Sequence, residues 1–203
     1  MSIELVRRRD ALLLAVGFEG GLVVLAWVLG WLVNQPPLDL VKWSGSDLIL
    51  GVVAMLPLLG CYWICVRWPI GPLARIKRFS EEFIRPLFRA CTVYDLALMS
   101  LVAGLGEEML FRGVVQGLFD GWLGVGYGLA VASILFGLLH LITPTYALLA
   151  SAVGVYFGVL VMLNENLIIV IVPHALYDFI ALMYLVRGPV TKDPELAAPP
   201  LGP

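Results

Sequence analysis

From Ala11 to Val33 the chain runs with one charged residue, Glu19. Runs of that length constrain the fold more than any other feature. A membrane-spanning helix needs about 20 mostly apolar residues, because the hydrocarbon core is about 30 Å thick and each helical residue rises about 1.5 Å. Further stretches qualify: Asp47 to Val66, Tyr94 to about Phe119, Val125 to Leu141, Tyr146 to Leu163 and Leu167 to Val186. With 61% hydrophobic and 14% charged residues, the chain departs far from a soluble domain. An all-α, polytopic transmembrane bundle of about six spans is predicted. Pro57 inside the second span is compatible with that reading, since lipid-embedded helices tolerate a kink.

Orientation follows from the basic residues, which accumulate in cytoplasmic loops. Arg7, Arg8 and Arg9 precede the first span, and Arg67, Arg75, Lys77, Arg78, Arg85 and Arg89 crowd the connection before the third. Both termini are therefore expected on the cytoplasmic side. The stretch "GPLARIKRFSEEFIRPLFRA" from Gly71 mixes Ile, Phe and Leu with basic groups, so it reads either as an amphipathic helix on anionic lipid or as an ordinary basic loop. Ala11 to Val33 is too long for the apolar core of a signal peptide and is read as a retained span. Residues 1–92 then form two spans with a basic connection, 93–187 a helical core, and 188–203 a Pro-rich, disordered tail.

Three cysteines cannot build a disulfide framework, and buried packing is expected for Cys61, Cys65 and Cys91. Glycines recur at four-residue spacing at Gly113, Gly117 and Gly121, at Gly124 and Gly128, and at Gly154 and Gly158. That spacing lets helices approach closely in lipid.

Ionisable side chains inside a span are costly and mark function by default. Here they are Glu19, Glu107, Glu108, Arg112, His140, His174 and Asp178. Glu108 and Arg112 are four apart with the glutamate N-terminal, the favourable order for a helical ion pair. Their pairing leaves Glu107 as an unneutralised carboxylate suited to general-base work. A triad that only locks helices together is the structural alternative. Phe136 lies one turn before His140, and His174 one turn before Asp178, so each pair shares a face. Two chemistries fit the set: zinc held by Glu107, His140 and His174, with or without Asp178, and a water in the open position, or water activated by Glu107 and His140 while His174 and Asp178 steady an oxyanion. Glu19, flanked by Gly17, Gly20 and Gly21, is read first as packing within the bundle, with a place lining the substrate entrance or near the site as the alternative, and is kept out of the catalytic set.

Three separated motifs carry a resemblance: "EEMLFRG" with Glu107, Glu108 and Arg112, "FGLLH" with Phe136 and His140, and "HALYD" with His174 and Asp178. Together they resemble the CPBP family of intramembrane proteases, also called the CAAX protease and bacteriocin-processing or ABI family. The resemblance covers roughly Tyr94 to Tyr184. It implies an endopeptidase sunk in the membrane and open to the cytoplasm, with Glu107 as base, organised by Glu108 and Arg112, and it leaves Zn2+ or a metal-free mechanism open. The family's third motif most often ends in asparagine. Asp178 departs from that, and an ionised carboxylate cannot donate a hydrogen bond to an oxyanion.

The expected partners are membrane lipids and a membrane-embedded or lipidated peptide, with no nucleic acid, in a bacterial cytoplasmic membrane. A non-proteolytic binding or bacteriocin-immunity protein on the same scaffold is the alternative. A proton-coupled transporter ranks last, because the ionisable groups converge on three spans and no internal repeat is visible. One geometric expectation concerns His140. Straight spans would leave it nearer the cytoplasmic end than Glu107, and a loop through Gly124, Gly126 and Gly128 would start its helix late and bring it level.

Overall fold

A computed structural model of the protein describes residues 7–189. Among the described residues there are helices and no strands. Helix α1 is Arg8–Leu32 and α2 is Gly45–Arg67, joined through a 3-10 turn at Pro37–Leu40. Then come α3, Pro72–Phe88, and α4, Val93–Leu123. The remaining helices are α5, Tyr127–Leu139, α6, Pro144–Asn164, and α7, Ile168–Arg187. The chain is thus all-α, as the apolar runs predict.

By length and composition α1, α2, α6 and α7 can each cross a membrane, and α3 with α4 makes a fifth span only if that pair, bent by 115°, counts as one. The expected six spans are not borne out. Helix α4 is long enough, but the motif places Glu107, Glu108 and Arg112 inside it and lowers its hydropathy. The expected fourth span shortens to 13 residues, a rise of roughly 20 Å. Gly124 and Gly126, at φ 99° and 97°, delay its start in a backbone region that side chains rarely adopt. Pro144, at the first position of α6, forces a new helix soon after its end. Of the expected tail at 188–203, only Gly188 and Pro189 fall among the described residues, and both chain ends lie outside them.

Helix α7 is the axis of the bundle, packed against α2 on one side and α4 on the other; α1 covers α4, and α5 pairs with α6. Phe18, Trp31, Ile49 and Leu148 point outward and are more than half exposed. Large apolar side chains on the outer surface suit lipid, which presents no polar groups for them to avoid. Polar contacts gather inside and at the ends. At one end Arg8 holds Asp95 through two hydrogen bonds of 2.6 and 2.8 Å, and Asp95 closes a capping box with Thr92 at the start of α4. Arg187 donates to the Cys91 carbonyl and Arg85 to that of Gly188. At the other end the buried Asn166 accepts from the Lys42 and Ile168 amides and donates to the Lys42 carbonyl and to Asp47.

The cysteine expectation holds for Cys91, which packs against Ala11, Leu96 and Met99, but not for Cys61, which is exposed on the outer face of α2. A sulfur on that face meets lipid as readily as core. The basic connection does form a helix, and its first part is amphipathic. The glycine spacing marks contacts in part: a Cβ on Gly113 would lie 2.6 Å from Pro37 and one on Gly154 3.0 Å from Ser133, whereas Gly121 and Gly124 have nothing within 4 Å.

Candidate active site

The site is built where α4 meets α7. At Gly104 the two helices touch backbone to backbone: a Cβ there would stand 3.0 Å from the Ala175 nitrogen and 3.1 Å from the Ile171 carbonyl oxygen. One turn further along α4, this approach sets Glu108 against His174, the residue before Ala175. Their contact is 2.6 Å, from Glu108 Oε1 to His174 Nδ1. Gly106 performs the same service for α1, since a Cβ there would lie 2.6 Å from the Glu19 carbonyl oxygen.

Directly after the glutamates, α4 widens into a π-helical segment, Met109–Gln116. Such segments are rare and occur frequently at functional sites. Arg112 lies in it, with Nη1 3.2 Å from Glu108. The expected pair is therefore formed, and both partners are almost entirely buried. The guanidinium also lies 4.4 Å from the centre of the Phe136 ring, a favourable placement of a cation over an aromatic face. Phe136 in turn stacks toward His140, with ring centres 4.5 Å apart. Its expected partnership with His140 is thus one layer of a stack that begins at Arg112.

Donor rules settle which ring nitrogen faces the site. Glu108 is acceptor-only when ionised, so His174 donates from Nδ1 and turns Nε2 toward Glu107 and Asp178. In His140, Nδ1 lies 2.8 Å from the Phe136 carbonyl, which can only accept, so Nε2 again faces Glu107. Glu107 Oε2 stands 3.8 Å from His140 Nε2 and 3.9 Å from His174 Nε2. It is buried and has no hydrogen-bond partner among the described residues. Asp178 Oδ2 is 3.5 Å from His174 Nε2, and its side chain is 32% exposed, the most open of the set. Asp178 therefore forms the mouth and Glu107 the floor.

The structure thus brings together every residue singled out from the sequence, including His140, which caps the C-terminal end of the late-starting, shortened α5. Among the described residues no group of three or more His, Cys, Asp or Glu side chains is arranged to hold a metal ion. The expected zinc ligands Glu107, His140 and His174 do converge, with Glu107 Oε2 3.8 and 3.9 Å from the two imidazoles, and the steps proposed for this site use only the protein's own side chains.

Sequence reasoning missed several neighbours. Glu19, read first as packing, lies within electrostatic range of Asp178, His174 and Glu107, which favours its alternative place near the site, and its Oε2 is buried without a hydrogen-bond partner among the described residues. Its rank as an intramembrane carboxylate was the available signal. Phe157 stacks on His174 at 5.7 Å, and the Tyr146 ring lies 6.0 Å from that of His140. Neither ring stands out in a chain so rich in aromatic residues.

No curated protein and no solved structure matches the chain. The family model described as type II CAAX prenyl endopeptidase, Rce1-like, matches residues 89–180, a span that contains all three motifs. The match supports endopeptidase chemistry in general and agrees with a protein of several apolar helices embedded in a membrane. The segment that builds this site is therefore similar to the Rce1-like type II CAAX prenyl endopeptidase family, the same CAAX protease group that the motifs resemble.

Proposed function

We propose that the protein is an intramembrane endopeptidase that cuts membrane-embedded or lipidated, CAAX-type peptides near the cytoplasmic face, in a bacterial cytoplasmic membrane. One observation carries this reading: the unpartnered Glu107 Oε2 stands 3.8 and 3.9 Å from two imidazole nitrogens. Polar atoms at that separation can share one water at hydrogen-bonding distance from each.

In this mechanism Glu107 takes a proton from water as the water oxygen bonds to the scissile carbonyl carbon. His140 Nε2 holds the same water through its lone pair. His174, fixed through Nδ1 by Glu108, acts as an imidazolium whose Nε2–H donates toward the developing oxyanion. On collapse the carbon–nitrogen bond breaks and the proton on Glu107 passes to the leaving amine. Glu108 and Arg112 neutralise each other beneath the base, so that one carboxylate at the floor keeps its full basicity. Asp178 orients His174 from the mouth.

The test is cleavage of a panel of membrane and lipidated peptides by the purified protein in lipid. Wild type is compared with Glu107→Gln, His140→Ala and His174→Ala, each with and without a chelator. Loss of cleavage in all three variants is the expected result, and chelator resistance the expected companion. Cleavage abolished by the chelator and restored by Zn2+ would move Glu107, His140 and His174 to metal ligands. Cleavage that survives Glu107→Gln, or a wild type that cuts nothing, would leave a binding or immunity role on the same scaffold.

A further inference from the structure

The mechanism above lacks a neutral hydrogen-bond donor for the oxyanion. In this chain the residue one turn after His174 is Asp178, and a carboxylate only accepts when ionised. Tetrahedral intermediates of acyl transfer are stabilised chiefly by donors aimed where the negative charge develops. A neutral O–H or N–H group beside the same mouth would supply that donor.

The geometry points to Tyr146 as a catalytic residue whose phenol hydroxyl donates to the oxyanion in place of an amide at position 178. Tyr146 stands in the first turn of α6, and the helix start that holds it is well determined. Thr143 caps α6 by accepting from the Tyr146 amide at 3.1 Å, and Pro144 occupies the first helical position. The short turn from His140 to Thr143 leaves the phenol ring 6.0 Å from the His140 ring, tilted by 55°. Its hydroxyl interacts electrostatically with both Asp178 and Glu107, the mouth and the floor. The ring is half-buried, and its hydroxyl makes no hydrogen bond to another described residue. A neutral donor thus lies beside His140, within electrostatic range of both the base and the carboxylate that cannot donate.

The step balances without an added reagent. As the water oxygen bonds to the carbonyl carbon, the carbonyl π pair moves onto oxygen, and the Tyr146 O–H hydrogen-bonds that oxygen without giving up its proton. When the carbon–nitrogen bond breaks, the pair returns to re-form the carbonyl, and the amine leaves with the proton that Glu107 took from water.

This inference rests on the protease reading and is tested beside it. Tyr146→Phe removes one oxygen atom and keeps the ring. It is expected to lower kcat by roughly 10²-fold or more, with KM changed less than about twofold and an unchanged thermal transition. Adding Asp178→Asn to Tyr146→Phe supplies an amide donor and is expected to recover at least about tenfold of that loss, which a packing role for the ring would not produce. If Tyr146→Phe cuts at the wild-type rate while Glu107→Gln is inactive, the inference falls and the protease reading stands. A rise in KM with kcat intact also overturns it, since that marks substrate binding. A wild type that cuts no peptide, or cuts equally well with Glu107→Gln, overturns both.

Discussion

Replacing Gly104 by alanine tests whether the backbone contact between α4 and α7 sets the catalytic geometry. The added Cβ would stand 3.0 Å from the Ala175 nitrogen, 3.1 Å from the Ile171 oxygen and 3.2 Å from the Ala175 Cβ. Comfortable contacts lie nearer 3.5–4.0 Å, and two of these partners are helical backbone that cannot rotate away. Relief requires the helices to separate locally by roughly 0.5 Å, the shortfall from that range. Overpacking of this kind costs about 1–3 kcal/mol, and exchanging a helical glycine for alanine returns about 1 kcal/mol. The net loss of stability is therefore small, at most about 2 kcal/mol on these magnitudes.

Activity is the more sensitive reporter. Glu108 and His174 lie beside the contact, so a separation of half an ångström reaches the 2.6 Å Glu108–His174 bond and the 3.9 Å approach of His174 to Glu107. A displacement of about 1 Å can cost about 10²-fold in rate, so about tenfold is expected for Gly104→Ala in kcat/KM on the best peptide. Gly60→Ala on α2 is the control, because nothing lies within 4 Å of its Cβ position. It is expected to leave the rate unchanged and to raise the melting temperature slightly. Wild-type activity in Gly104→Ala would refute the argument, as would equal effects at the two glycines.

Arg112→Met leaves the Glu108 carboxylate buried without its neutralising partner and is expected to destabilise the protein by about 3–5 kcal/mol, read as a lowered thermal transition in detergent. The Glu108→Leu/Arg112→Met double substitution removes both charges and is expected to melt closer to wild type while lacking activity; a single variant no less stable than the double would contradict the buried pairing. At the opposite end, Asn166→Ala removes a buried amide that bonds to Lys42, Ile168 and Asp47. Stranded buried partners cost about 1–3 kcal/mol, so a clear drop in the melting temperature is expected; Asn166→Asp, which faces the Asp47 carboxylate, should fail to restore it.

Much of the site was legible without coordinates. Helical periodicity alone puts Glu108 with Arg112, Phe136 with His140, and His174 with Asp178 on common faces, because residues four apart on a helix are neighbours whatever surrounds them. The cost of charge in lipid then singles out these positions in an apolar chain. Glu19 was visible by the same rule, yet nothing in its local sequence distinguished packing from a place beside Asp178 and His174. The expected late start of the helix that carries His140 was also legible, since Gly124 and Gly126 interrupt the apolar pattern with residues that favour positive φ.

What the sequence determined by itself is therefore local: apolar runs long enough for lipid, an all-helical chain, and which polar groups share a turn. The tertiary structure decided which turn faces which. Gly104 opposite Ala175 aims Glu108 at His174 Nδ1, the π segment seats Arg112 over Phe136, and the turn after His140 brings the Tyr146 ring beside that of His140. Those pairings join residues far apart in the chain, and no short-range periodicity encodes them. They arise because helices in lipid settle where small residues let backbones touch and where buried polar groups find partners, conditions that only the assembled bundle can satisfy.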